Sequence, residues 1–201
     1  MEKITILLFY RNSSMEKFRK IRQFFFTFVA QSFIHSFLLC MTDKIAVFPG
    51  SFDPFTLGHE SIVLRAMDLF DKIIIGIGTN TSKNTFFSAE QRMEMIRELF
   101  AGNAKIDIMY YDDLTTDFCK RVGAKYMLRG LRTSSDFEYE KVIAQVNQAM
   151  LPEVESLFML TLPEHTAINS SVVREIMRYD GDVSKFVPKG INFKKYLKLK
   201  V

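Results

Sequence analysis

The stretch from Pro49 to Glu60, PGSFDPFTLGHE, combines turn-forming residues with small polar side chains and a histidine. It directly follows the apolar run of residues 45–48, which has the pattern of a buried strand. Gly50 and Gly58 would let the backbone approach a phosphate closely, and the free N–H groups of a helix N-terminus attract anions. The stretch therefore predicts a phosphate site where a strand leads into a helix.

Other residues suited to contacts with an anion lie at or after the ends of the later predicted strands, namely Lys83, Arg129, Gly130, Arg132 and Ile168–Ser171. In a parallel sheet the carboxyl ends of the strands share one edge, so we expect these residues to converge with Ser51 and His59. Three cations, a histidine and several hydroxyls form an anion site without an obvious pair of nucleophile and base. Such a set favours phosphoryl or nucleotidyl transfer, in which catalysis is mostly positioning and charge stabilisation.

Other common sites are not indicated. There is no Gly-Lys-Ser/Thr of a Walker A loop, and GIGTNT in the second strand lacks the third glycine of a dinucleotide fingerprint. Cys40 and Cys119 are too few for a disulfide framework, and neither CxxC nor a Cys/His cluster predicts a metal held by the protein. Cys119 is expected to be an apolar filler of the core. This cysteine usage favours a reducing compartment.

Alternating elements must position these residues. Apolar runs predict strands at 44–48, 71–79, 105–111, 125–131 and 156–162, and periodic segments predict helices at 58–70, 89–100, 114–122, 136–151, 170–179 and 191–200. Ser88 and Gln91 form a predicted capping box, while Ser170 and Ser171 could serve as plain N-caps. The near-continuous apolar strands predict an α/β fold, a Rossmann-like five-stranded parallel sheet with helices on both faces.

Residues 1–40 differ from the remainder. They hold six basic and two acidic residues, whereas the 161 residues from Met41 onward have no net charge, so the charge does not indicate a nucleic-acid partner. A basic flank precedes FFFTFVAQSFIHSFLLC, which is less apolar than a membrane-spanning helix requires. An amphipathic anchor, a signal-like segment and a mis-called start all remain open. We expect a non-core extension over 1–40 and a single domain over 41–201.

Three ordered motifs carry a family resemblance. Residues 56–59 give T-x-G-H, residues 168–174 give INSSVVR, and RGLR…DFEYE spans residues 129–140 between them. With these motifs the chain resembles the nucleotidyltransferase superfamily and, within it, the phosphopantetheine adenylyltransferase family of the bacterial type. The similarity runs from about Lys44 to Lys189. Asn169 departs from the pattern, because the family usually has serine there.

The resemblance implies in-line adenylyl transfer from ATP to 4′-phosphopantetheine with Mg²⁺, giving dephospho-coenzyme A and pyrophosphate without a covalent intermediate. It implies that His59 stabilises the transition state and that Lys83 and Arg132 assist. The implied ATP contacts are Ser51, Phe52, His59, Gly130, Leu131, Arg132, Glu140, His165, Thr166, Ala167, Ile168, Asn169, Ser170 and Ser171. The implied phosphopantetheine contacts are Ser51, Lys83, Leu114 and Arg129.

The resemblance also implies a homohexamer. Because ATP and a coenzyme A precursor are cytosolic, we expect a cytoplasmic protein, with neither a nucleic-acid partner nor membrane association. Two other functions stay open at this stage. One is a sister nucleotidyltransferase that acts on nicotinate mononucleotide or on a sugar or glycerol phosphate. The other is a nucleotide-binding module without turnover, against which the set of His59, Lys83, Arg129 and Arg132 argues.

Overall fold

Each of the five apolar runs forms a strand. The structure is a computed structural model that describes residues 43–79 and 85–197. Its strands are β1 (Ile45–Gly50), β2 (Lys72–Gly78), β3 (Ile106–Tyr111), β4 (Tyr126–Leu131) and β5 (Glu155–Leu160). The expectations for residues 1–40 and for Lys83 lie outside the described residues. No helix of the described segments is long and apolar enough to cross a membrane.

The predicted helices are present, with shifted ends. They are α1 (Leu57–Ala66), α2 (Ala89–Leu99), α3 (Thr115–Val122), α4 (Ser134–Met150), α5 (Ser170–Arg178) and α6 (Phe193–Leu197), with a short 3₁₀ helix at Pro163–His165. Helix α1 ends before residue 70, where the prediction placed its end. Ser88 and Gln91 form the predicted capping box of α2. Gly123 ends α3 in the left-handed conformation that glycine tolerates best.

The strands lie in the order β3-β2-β1-β4-β5, and all of them are parallel. The chain leaves the β3 edge and crosses over to β4, so that β1 lies between the two halves. β1 pairs with β2 along six residues but with β4 only at Ala46–Tyr126 and Val47–Met127. The strands β1 and β4 therefore part at their carboxyl ends, and this opening is where ligands bind in sheets of this kind.

Helices cover both faces of the sheet, as predicted. One apolar cluster joins the sheet to α1, α2, α5 and α6, and the second packs α3 against β1, β2 and β4. Cys119 lies in the second cluster, fully buried, which confirms its prediction as a core filler. Burial raises the pKa of its thiol to about 11.

One side of the fold is less buried than the sequence suggested. The apolar run of β5 predicts a covered strand, yet β5 is the sheet edge and is nowhere fully buried. Helix α4 beside it contains no buried residue. Its apolar side chains are instead exposed, including Val142, Val146 and Met150. The apolar character of this segment is therefore not explained by packing within one chain.

Candidate active site

A cavity of about 830 Å³ opens at the carboxyl ends of β1 and β4. The loop after β1, the first turn of α1, the first two turns of α4 and the start of α5 surround it. From the predicted site, the residues that line it are Ser51, Phe52, His59, Arg129, Gly130, Arg132, Glu140, Ile168, Asn169, Ser170 and Ser171. The convergence on one edge of the sheet is thus present in the fold.

His59 is the third residue of α1, and its ring contacts Thr56, the N-cap residue that precedes the helix. The backbone N–H of Thr56 donates to Nδ1 of His59 at 3.1 Å, and Thr56 Oγ1 lies 3.0 Å from the same nitrogen. Since Nδ1 accepts, the neutral ring carries its proton on Nε2. Phe52 and Phe55 pack around the ring, with centroids at 5.2 and 5.3 Å. The side chain is thereby oriented as a hydrogen-bond donor.

The electrostatics of the site keep this ring neutral. Burial, with a smaller contribution from the positive charge of Arg132, lowers the pKa of His59 to about 4. Both causes act against the charged form of an imidazole. At neutral pH, His59 can therefore donate one hydrogen bond from Nε2 without first gaining a proton.

The loop after β1 has an unusual backbone. Phe52 adopts a left-handed conformation with φ 48°, which is uncommon for a residue with a bulky side chain. Its ring packs over Gly50, where a Cβ atom would lie only 2.8 Å from the ring. Gly50 therefore makes room for this aromatic ring, and the close approach to phosphate expected from the sequence stays a prediction. Among the described residues, no partner contacts the backbone N–H groups of Ser51, Phe52 and Asp53.

Arg129 lies in the last part of β4, inside the strand predicted over residues 125–131. Its guanidinium donates from Nε and Nη2 to the carboxylate of Glu140 on α4, and from Nη1 to the carbonyl of Pro49 at 2.9 Å. Glu140 therefore pairs with a residue of the sheet and not with a neighbour on the surface of its own helix. It orients Arg129 at the cavity, and the remaining N–H groups of the fork stay available to an anion.

Arg132 follows β4 directly and pairs with Asp136 in the first turn of α4. The Arg132 Nε and backbone N–H both donate to Asp136 Oδ2 at 3.1 Å. An acid in the first turn of a helix compensates the helix dipole, and Asp136 in addition accepts a hydrogen bond from the backbone N–H of Arg132. Its hydrogen bonds with Arg132 help to hold the pKa of this carboxyl below its usual value.

The N-cap of α5 is Asn169, whose side chain accepts from the backbone N–H of Val172 at 2.9 Å. The prediction of Ser170 or Ser171 as the cap is therefore wrong, because both serines lie one or two residues inside the helix. Ser170 Oγ instead donates to the carbonyl of Pro54 at 2.9 Å. This second contact joins α5 to the loop after β1.

Five predicted site residues do not line the cavity. Leu131 is buried in β4, Leu114 is an exposed N-cap of α3, and His165, Thr166 and Ala167 lie in or after the 3₁₀ helix. Conversely, Asp53, Thr56 and Arg174 line the cavity without having been predicted as site residues. The signal for Arg174 was present, since it ends the INSSVVR motif. Thr56 likewise begins the T-x-G-H motif, whereas Asp53 lies in the loop after β1, where the sequence indicated only its neighbours Ser51 and Phe52.

The carboxylates at the cavity do not fit a magnesium ion held by the protein. No group of three or more His, Cys, Asp or Glu side chains in the described segments could hold a metal ion. Asp53 accepts the backbone N–H groups of Phe86 and Phe87 at 2.7 and 2.8 Å. The other two, Glu140 and Asp136, are paired with arginines. The donor set of the site is thus cationic and neutral, suited to anionic oxygen.

Comparison with known proteins adds independent findings. The sequence profile of the cytidylyltransferase-like family matches residues 47–176. A phosphopantetheine adenylyltransferase of Bacteroides thetaiotaomicron is 50% identical over 146 residues, which are 73% of this chain and 96% of that protein. One from Bacteroides fragilis is 47% identical over 146 residues, 73% of this chain and 97% of that protein.

A solved structure shares the fold. It is a bifunctional NMN adenylyltransferase/ADP ribose pyrophosphatase from Francisella tularensis, similar with a TM-score of 0.59 at 20% identity. The similarity covers 79% of this chain and 49% of that one. At this identity the likeness extends to the fold, in agreement with the Rossmann-like sheet.

Proposed function

The chain belongs to the phosphopantetheine adenylyltransferase family, and we propose that it transfers the adenylyl group of ATP to 4′-phosphopantetheine in coenzyme A biosynthesis. A phosphate oxygen of phosphopantetheine attacks the α-phosphorus of ATP. The bond between this phosphorus and the oxygen bridging to the β-phosphate breaks, and pyrophosphate leaves as dephospho-coenzyme A forms. The nucleophile is already anionic, so the reaction needs neither a general base nor a covalent intermediate.

The observation that carries this proposal is the neutral, oriented His59 at the cavity. In the proposed reaction, its Nε2–H donates to an oxygen of the α-phosphate as negative charge builds there. A neutral donor keeps its proton throughout, so the group that stabilises the transition state is ready again for the next turnover. The hydrogen bond from Thr56 that fixes Nδ1 as an acceptor supports this role.

The two substrates divide the remaining residues. We assign the nucleotide to Ser51, Phe52, Gly130, Arg132 and the segment 168–171, which line the cavity with His59. Arg129 is assigned to the phosphate of phosphopantetheine, with Glu140 acting through it. Lys83 and Leu114 are retained as phosphopantetheine contacts, and Leu131 and His165–Ala167 as nucleotide contacts, from the family resemblance alone.

Magnesium is proposed to enter as part of the nucleotide substrate. Mg²⁺ commonly binds through substrate phosphates and few protein ligands, and when bound it neutralises phosphate charge. The paired carboxylates of the cavity support this assignment. We propose a cytoplasmic location, because ATP and the precursor of coenzyme A are found there.

We also propose that the chain assembles with further copies of itself through α4, as a homohexamer by family resemblance. Supporting this, apolar side chains recur along one face of α4 at helical spacing and are exposed in the single chain, namely Tyr139, Val142, Ile143, Val146 and Met150. Exposed apolar stripes of this kind mark protein interfaces.

A pyrophosphate-release assay tests the proposed reaction. With ATP, release should require 4′-phosphopantetheine, and the adenylylated product should be dephospho-coenzyme A by mass spectrometry. Nicotinate mononucleotide and glycerol 3-phosphate serve as alternative acceptors, and CTP as the alternative donor. Faster release with any of these would indicate a sister nucleotidyltransferase, and binding of ATP without release would indicate a non-catalytic module.

A further inference from the structure

Arg92 on α2 is a buried cation outside the cavity. Arg92 is only 3% exposed. Both of its hydrogen bonds go to backbone carbonyls: Nη1 donates to the carbonyl of Ser51, and Nε donates to that of Ser88 at 3.3 Å. Among the described residues no carboxylate forms a close ion pair with Arg92, although the negative charges of Asp53 and Glu90 act on it from a longer distance. Burial lowers the pKa of this guanidinium. Burying a charge without a close counterion is costly, so core packing alone does not explain an arginine here.

A second guanidinium contacts the same loop from the other side. Arg174 Nη1 donates to the carbonyl of Asp53 at 2.6 Å, while Arg92 binds the carbonyl of Ser51. These two carbonyls flank Phe52, the residue in the left-handed conformation. Such a conformation costs of the order of 1–3 kcal/mol and persists only where its surroundings enforce it. The two arginines supply that enforcement from two different helices.

Holding the carbonyls also determines what the loop offers to a ligand. With the carbonyls of Ser51 and Asp53 bonded to guanidinium groups, the N–H groups of residues 51–53 have no partner in the described part of the chain. These three residues line the cavity. Successive N–H groups around a left-handed residue form a concave site for an anion.

We propose that Arg92 is a positioning residue for the adenylyl transfer: it holds the Ser51 carbonyl, and through it directs the loop N–H groups of residues 51–53 at a phosphate of the nucleotide. This inference rests on the proposed function for its catalytic consequence. Its binding consequence, capture of a pyrophosphate group by the loop, is independent of turnover.

Substitution of Arg92 separates positioning from core packing. Arg92→Lys keeps the charge but cannot reach both carbonyls with one planar fork. We expect kcat to fall about 10- to 100-fold, since small misplacements of a reacting group cost that much, while the KM for phosphopantetheine changes less than threefold. Inorganic pyrophosphate should bind at least fivefold more weakly by titration calorimetry. Arg97→Lys, at an exposed arginine of the same helix that also reaches a backbone carbonyl, is the matched control and should behave as the wild type.

A folded Arg92→Lys chain with wild-type kcat and wild-type pyrophosphate affinity would overturn the proposal. If that variant does not fold, the wild-type chain still decides the matter by NMR. Pyrophosphate should shift the backbone amide signals of Ser51, Phe52 and Asp53 together with the Nε–H signal of Arg92, and a titration that leaves these signals in place would rule the proposal out. If pyrophosphate causes these shifts but the wild type shows no turnover, the proposed function is refuted while binding of phosphate by the loop is supported.

Discussion

The backbone N–H of Thr56 donates to Nδ1 of His59 across 3.1 Å, within the first turn of α1. One contact thus satisfies a donor that the helix start would otherwise leave open and selects the tautomer of the histidine. His59 therefore contributes both to the stability of α1 and to the proposed chemistry.

Removing the His59 side chain should affect catalysis far more than binding. We expect His59→Ala to lower kcat by about 10²–10³-fold, roughly 3–4 kcal/mol of transition-state stabilisation, as for the loss of one oriented donor. The dissociation constant of ATP, measured by calorimetry, should change little. A variant that binds ATP weakly but turns over normally would contradict the role.

The pH dependence follows from the pKa of His59, lowered to about 4. Neutral imidazole persists down to that pH, so kcat should show no loss from protonation of His59 between pH 8 and 5.5. In the unfolded chain the group titrates near 6.5. Between pH 6.5 and 4 the unfolded state thus binds the extra proton, and the free energy of unfolding must fall as the pH decreases.

Urea denaturation at pH 7 and pH 5 measures this effect on stability. The wild type should lose more stability between the two values than His59→Gln does. Equal losses would mean that the folded ring titrates normally, which a ¹⁵N spectrum of the imidazole would show directly.

The cationic residues should separate the two substrates. Arg132→Lys keeps the charge and loses the planar fork, so the affinity for ATP should fall. Lys83→Ala should weaken phosphopantetheine more than ATP. Titration with each ligand alone is the measurement, and Lys120→Ala, an exposed lysine of α3, is the control. If Arg132→Lys weakens only phosphopantetheine and Lys83→Ala weakens only ATP, the assignment of the two substrates to the two halves of the site is wrong.

Charges on α4 should disrupt assembly. Val142 and Val146 lie one turn apart, and each is about half exposed in the single chain (54% and 51%). We expect Val142→Lys with Val146→Lys to reduce the molar mass seen by light scattering after size exclusion. Leu69→Lys, at a similarly exposed apolar position (56%) outside α4, should leave the mass unchanged. An unaltered mass in the double variant would exclude α4 as the interface.

A chain that begins at Met41 should fold, assemble and turn over with unchanged kcat/KM. The curated relatives are matched over 96–97% of their length by only 73% of this chain, which supports a dispensable extension. The full-length chain should be less soluble because of its aromatic run. Mass spectrometry of the native N-terminal peptide accompanies the kinetics. A native protein that starts at Met1, together with an inactive or unassembled shorter chain, would overturn this view.

Local patterns determined much of what could be predicted. The apolar runs and helical periodicities placed the strands and helices, and the capping box of Ser88 and Gln91 was visible because its two residues are three apart. The T-x-G-H and INSSVVR motifs led to the cavity in the same way. Each of these signals lies within a few residues of the chain.

Contacts between distant residues could not be predicted in this way. Arg92 meets Ser51 across 41 positions and Arg174 meets Asp53 across 121, so neither contact has a local pattern. An arginine within a helix is usually exposed, and nothing in the sequence around Arg92 indicates burial. The exposure of α4 was missed for a related reason, because an apolar helix face looks the same whether its own chain or another chain covers it.

The short pairing of β1 with β4 has a consequence for local opening of the protein. In the described part of the sheet, β1 and β4 join the two halves, residues 45–111 and 126–178, through only two register pairs, and beyond them Arg129 bridges to Pro49. The amide protons of β4 should therefore exchange with solvent faster than those of β2, which lies between two fully paired neighbours. A nucleotide that contacts both halves would connect them at the place where they share the fewest backbone hydrogen bonds. Substrate occupancy would then slow exchange along β4 and make the two halves open as one cooperative unit.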